Sequence, residues 1–124
     1  MIEYTVQVLD NSTRFWYLNG KRHREDGPAI EYTNGSRLWY LNGKRHREDG
    51  PAIECANGTR RWYLNGKPHR EDGPAVECAN GRRWWYLNDT EYTEEEFNKK
   101  TVTAKELTLA EIETLLGYPV KVVK

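Results

Sequence analysis

Residues 39–61 read WYLNGKRHREDGPAIECANGTRR, and nearly the same 23-residue unit stands on both sides of them. Residues 16–38 read WYLNGKRHREDGPAIEYTNGSRL, residues 62–84 read WYLNGKPHREDGPAVECANGRRW, and the WYLN that starts at Trp85 opens a fourth unit that breaks off. Self-similarity at a fixed period marks a stack whose units bury their apolar sides against their neighbours. A catalytic site is normally built once. A residue set present three times therefore reads as scaffold or as repeated binding surface.

Each unit carries two turn signals. Asn-Gly at 34–35, 57–58 and 80–81 lies between short β-prone runs, the strongest local marker of a two-residue hairpin. The longer NGKxHREDGPA stretch then reads as the connection between hairpins, and Pro28, Pro51 and Pro74, lacking an amide donor, belong at strand starts. A two-residue turn at Asn34-Gly35 sets Tyr32 opposite Arg37, Ile30 opposite Trp39 and Pro28 opposite Leu41 on one face. It sets Glu31 opposite Leu38 and Ala29 opposite Tyr40 on the other. The first face, with Ile/Val, Trp, Leu and Pro, is the expected buried stripe, and the second, with Tyr, Ala and Glu, is expected to be half-solvated. A one-residue change in loop length exchanges these faces.

The ends depart from the repeat. Residues 4–9 (YTVQVL) align with the GPAIEY strand, and DNSTR stands where TNGSR does, so a degenerate first strand caps one sheet edge. After Asn88, Thr93-Glu-Glu-Glu96 and Thr108-Leu-Ala-Glu111 both fit a capping box. The second places Leu109, Ile112, Leu115 and Leu116 on one helix face, with Gly117 at its end and a short strand possible over 118–123. The expected fold class is mainly β: an extended meander of β-hairpins over 1–88, with a helical C-terminal cap over 89–124 covering the last sheet edge.

Composition supports a folded chain. Five Trp and eight Tyr in 124 residues are too many large rings for a disordered segment. No apolar run approaches the ~20 residues needed to span a bilayer, and the N-terminus lacks signal-peptide character, so the expected location is the cytosol. The formal net charge of zero divides unevenly, with +5 over residues 14–88, −2 before them and −3 after. That dipole is far weaker than the footprint of a dedicated DNA-binding domain. Cys55 and Cys78 occupy equivalent positions two strands, or about 10 Å, apart. A disulfide needs Cα atoms within about 7 Å, so both are expected as free thiols, with no CxxC or His cluster for a metal. No cofactor is expected.

The phrase NGKRHREDGPAIEYTNG resembles the MORN repeat in its bacterial and phage variant form, over roughly residues 14–88. It departs from that pattern where His-Gly-x-Gly becomes His-Arg-Glu-Asp-Gly. The resemblance implies hairpin repeats in an extended twisted sheet and a scaffolding role or, less directly, membrane or lipid association. Variant repeats of this kind are familiar in antitoxin-like and small phage proteins, and ELTLAEIETLLGYPVKVV is similar to endings of small phage proteins.

Three residue sets are candidates for function. HRED at His23, His46 and His69 superficially resembles a kinase loop, but no Gly-rich loop or recurring nucleophile accompanies it. The bland reading is scaffold, with His and Asp closing a turn and Arg and Glu pairing between adjacent units. Arg14, Arg37, Arg60 and Arg83 form a ladder that would suit nucleic acid. The alternative is that they cover Trp edges as cation–π partners. Tyr17, Tyr40, Tyr63 and Tyr86 form a second ladder, beside the position where the units diverge as Phe15, Leu38, Arg61 and Trp84. Scaffold positions hold constant between units while recognition positions are free to change, so Tyr17, Tyr40, Tyr63, Tyr86, Leu38, Arg61 and Trp84 are the expected partner-binding set. The sequence thus points to a non-enzymatic binder, as monomer or dimer, that blocks a protein partner such as a host nuclease or toxin. This would be the role of a phage-encoded, anti-CRISPR-like inhibitor or of an antitoxin or immunity protein. The alternative is a nucleic-acid- or nucleotide-binding module.

Overall fold

Two turns, used alternately, generate the architecture. The computed structural model describes residues 3–101. Its strands are β1 (Tyr4–Val8), β2 (Arg14–Leu18), β3 (Lys21–Arg22), β4 (Ile30–Glu31), β5 (Arg37–Leu38), β6 (Tyr40–Leu41) and β7 (Lys44–Arg45). The pattern continues with β8 (Ile53–Glu54), β9 (Arg60–Arg61), β10 (Tyr63–Leu64), β11 (Lys67–Pro68), β12 (Val76–Glu77), β13 (Arg83–Leu87) and β14 (Thr90–Tyr92). One long antiparallel meander runs in the order β1-β2-β4-β5-β8-β9-β12-β13-β14, with β3 attached to β2. The pairs β6-β7 and β10-β11 form separate small hairpins.

The first turn is Asn-Gly at 19–20, 42–43 and 65–66, where both residues are left-handed (φ 51° and 80° at Asn42 and Gly43). Left-handed geometry at both central residues is the type I′ turn, whose twist suits a two-residue hairpin. It joins Tyr40-Leu41 to Lys44-Arg45, so the segment expected to be a plain connection begins with a hairpin of its own. A fourth copy at Asn88-Asp89 has Asp89 in the glycine position at φ 72°.

The second turn corrects the register. At Asn34-Gly35 the loop holds three residues: the Tyr32 amide donates to the Ser36 carbonyl at 2.9 Å, and the Gly35 amide donates to the Tyr32 carbonyl at 3.1 Å. Asn34 is not left-handed here. Its Oδ1 accepts the Ser36 amide at 2.9 Å, and Gly35 alone takes the left-handed bulge position at φ 94°. Ile30 therefore faces Leu38 and Glu31 faces Arg37, not Trp39 and Leu38 as expected from a two-residue turn. The first strand ends in the same device, with Ser12 at φ 72° in the glycine position.

Strand alternation now puts Ile/Val on the same face as Tyr, while Trp and Leu41 lie on the face of Glu31 and the Arg ladder. The expected pairing of Ile/Val with Trp in one buried stripe is thus overturned. The core is thin: Ala29, Ile30 and Tyr40 are buried together, with Phe15, Trp16 and Leu38 packed against them. Ala52, Ile53, Ala75 and Val76 repeat the buried positions in later units.

β1 pairs with β2 along its whole length and caps the sheet edge as expected. Residues 94–101 are helical, opened by the Thr93–Glu96 capping box, in which the Glu96 amide donates to Thr93 Oγ1 at 3.1 Å and the Thr93 amide to Glu96 Oε1 at 2.9 Å. Phe97 on this helix is buried. The expected second helix at 108–117 and strand over 118–123 lie outside the described residues. Among the described residues no helix is long and apolar enough to cross a membrane.

Candidate functional site

The tyrosine face consists of two adjoining rows. In register across the sheet stand Phe15, Ile30, Leu38, Ile53, Arg61, Val76 and Trp84. These four divergent residues thus interleave with an Ile/Val ladder. Beside them lies the second row, in which Tyr17 pairs with Arg22, Tyr40 with Arg45, Tyr63 with Pro68 and Tyr86 with Glu91. Arg22 lies between rings, 5.9 Å from the Phe15 centroid and 5.8 Å from that of Tyr40. Arg45 lies 5.5 Å from Tyr63. The Tyr86 hydroxyl donates to Glu91 at 3.3 Å, and burial together with that carboxylate holds its pKa above the ordinary tyrosine value.

The seven expected partner-binding residues therefore share one face, but not one degree of exposure. Tyr40 is buried in the core cluster. Tyr17, Tyr63, Tyr86, Leu38 and Trp84 are half-buried, and Arg61 is exposed. Sequence reasoning missed Arg22 and Arg45, which complete the aromatic row. Their signal was the Lys-Arg that follows Asn19-Gly20 and Asn42-Gly43.

The opposite face carries the expected Arg ladder in a different setting. Arg14, Arg37, Arg60 and Arg83 alternate in register with Glu31, Glu54 and Glu77, and Arg60 pairs with Glu77 at 2.8 Å. Of the four, Arg60 lies over an indole, 5.8 Å from Trp62. The close stacking on Trp comes from the HRED arginines. Arg24, Arg47 and Arg70 lie 4.0, 3.9 and 3.8 Å over Trp16, Trp39 and Trp62.

Each of these arginines is a clasp. Arg47 Nε donates to Asp49 at 3.1 Å, and its Nη1 donates to the Pro51 carbonyl and to Glu54, both at 3.1 Å. Arg24 and Arg70 repeat the set. For the HRED arginines the pairing lies inside one unit, so the expected pairing of Arg and Glu between adjacent units is made not by them but by Arg60 and Glu77. The Arg24 clasp lowers the pKa of Asp26 through its hydrogen bond and its charge.

Histidine is what joins the units. Nδ1 of His23, His46 and His69 accepts the amides of Asn42, Asn65 and Asn88, each at 2.9 Å and 19 residues onward. It was expected to close its own turn. Instead it crosses the junction to the next type I′ turn, beside main-chain bonds such as Gly43 to the Arg22 carbonyl at 2.8 Å and Arg24 to the Tyr40 carbonyl at 3.1 Å. Cys55 and Cys78 are free thiols. Among the described residues no group of three or more His, Cys, Asp or Glu is placed to hold a metal ion. Comparisons with protein-family models, curated proteins and solved structures find no match to this chain.

Proposed function

We propose that this chain is a non-enzymatic repeat protein that binds and blocks a protein partner through its tyrosine face. The observation that carries this reading is the first row: one site that differs in every copy, as Phe15, Leu38, Arg61 and Trp84, lies on that face, interleaved with Ile30, Ile53 and Val76, which stay aliphatic. A rigid ladder supporting changeable side chains is a recognition surface in its simplest form. Tyr17, Tyr63, Tyr86 and Trp84 offer aromatic area at low entropic cost, and Arg22, Arg45 and Arg61 favour a partner of acidic character. The Arg and His of HRED serve as scaffold, since their side chains are engaged inside the stack. The MORN-like repeat and the phage-like ending make a host nuclease or toxin the class of partner to test first.

The nucleic-acid alternative is less well supported. The four arginines assigned to it alternate with three glutamates, so the row is nearly neutral where a phosphate backbone would need a continuous positive track. The test is affinity capture from candidate host lysates, then alanine substitution of Arg61, Tyr63 and Trp84 in turn. At least one should weaken binding by about 2 kcal/mol, with only moderate salt dependence. A steep log–log salt slope, with losses confined to Arg37→Ala and Arg60→Ala, refutes the proposal in favour of nucleic acid.

A further inference from the structure

We propose that the crest of the tryptophan face is a docking site for an extended peptide in the polyproline II conformation with Lys or Arg at every third position. The argument starts from which charges the HRED loops turn outward. The arginine side chains are only 21–23% exposed, folded down on Trp, while the acids beside them are 71–88% exposed. A loop with one Arg and two acids thus turns its carboxylates outward, the Asp still bridged to its own Arg and the Glu free of any guanidinium. Between successive tips run grooves. One of about 680 Å³ has Trp39 and Leu41 at its floor and carboxylates of two loops on its walls, and the next, of about 640 Å³, repeats this with Trp62 and Leu64. A smaller groove of about 390 Å³ precedes them, between Tyr4, Trp16 and Asp26. Each groove also contains clasp arginines, which stack on the indoles, but its acids outnumber them, so it suits a cation at the carboxylate rim whose stem or neighbouring ring reaches the apolar floor.

Spacing selects the shape of the occupant. The units advance by two strands, roughly 9.5 Å along the sheet. A β-strand sends residues three apart to opposite sides, and an α-helix needs six or seven residues to cover that distance. Polyproline II brings every third side chain to the same side at about 9.3 Å per turn. Its proline rings are also suited to aromatic-lined grooves. The match extends over three consecutive grooves, so affinity should build with each step of the peptide.

The test uses the full chain and two labelled twelve-residue peptides of equal composition. One has Arg at positions 1, 4, 7 and 10 with Pro elsewhere, and the other has its four Arg contiguous. Fluorescence anisotropy at low salt should show the periodic peptide binding at least tenfold more tightly, and the indole signals of Trp39 and Trp62 should shift in NMR spectra. The triple variant Glu25→Gln, Glu48→Gln, Glu71→Gln should bind it at least tenfold more weakly. These carboxylates are exposed and pair only with His rings, at 3.3–3.5 Å, so the unfolding midpoint should be retained. Arg61→Ala, on the other face, should leave peptide affinity unchanged, which separates this site from the proposed partner face. Equal affinity for the two peptides, no binding of either, or binding without shifts at Trp39 and Trp62 overturns the proposal.

Discussion

Replacing His46 with Ala tests whether HRED is scaffold, and the structure sets the size of the effect. His46 Nδ1 accepts the Asn65 amide at 2.9 Å, so the ring proton sits on Nε2, which faces Glu48 at 3.5 Å. The imidazole is 12% exposed and sits at the junction between the second and third units. Losing a neutral hydrogen bond costs about 1 kcal/mol, toward the low end because water reaches the exposed Asn65 turn. Removing roughly 40 Å² of buried ring surface at ~25 cal/mol per Å² costs about 1 kcal/mol more. Urea unfolding followed by Trp fluorescence should therefore show a loss of about 2 kcal/mol. In a linear array the damage falls on one interface, so the denaturation slope should also drop as the two halves uncouple. His46→Asn, which returns an acceptor near Nδ1, should recover about half of the loss. Partner affinity per folded molecule should not change. An unaltered midpoint, or an Asn variant as damaged as the Ala variant, refutes the junction argument. A fully folded His46→Ala protein that no longer binds its partner moves function into the HRED loops.

Two glycines separate backbone from packing effects. A Cβ at Gly58 meets nothing within 4 Å but must adopt φ +96°, so Gly58→Ala should cost about 1 kcal/mol with Trp emission unchanged. At Gly50 the Cβ would lie 3.0 Å from Arg47 Cζ, so Gly50→Ala should lift the guanidinium from Trp39 and alter its emission. Arg47→Lys should cost 1–2 kcal/mol in urea unfolding, because an ammonium neither forks to Asp49, Pro51 and Glu54 nor stacks flat on the indole. The Thr93 amide and hydroxyl hold the Glu96 carboxyl below the ordinary glutamate range. A depressed folded-state pKa stabilises above the unfolded value of about 4.3 and is lost as pH falls through the folded one. Amide protection in residues 94–101 should hold at neutral pH and decline on acidification below about 4, and Glu96→Gln should abolish that pH dependence. Thiol titration under denaturing, non-reducing conditions should count two sulfhydryls per chain, and an intrachain 55–78 disulfide would contradict the single-sheet spacing.

The period, the first capping strand, the Thr93 helix start and the separation of the thiols are all legible in the sequence, because each depends on spacing or on a local motif. Register is not, because Asn-Gly serves two different turns here. At Asn42-Gly43 both residues are left-handed, whereas at Asn34-Gly35 the asparagine spends its side chain on the Ser36 amide and only the glycine is left-handed. The dipeptide is identical and its hydrogen bonds are not. That single residue of loop length moves Ile30 from Trp39 to Leu38, which places the divergent positions and the tyrosines around one aliphatic ladder. It also sets Arg37 opposite Glu31, which neutralises the row that sequence alone offered to nucleic acid. Charge counting fails at HRED for a related reason. It records one Arg and two acids but not that the guanidinium turns down onto Trp while the carboxylates turn out. In a sheet one layer thick, every side chain is either support or surface, and turn geometry decides which. The tyrosine face is therefore both: Tyr40 is consumed by the core, while Arg61 and Trp84, at the positions the repeat leaves open, remain the residues a partner would read.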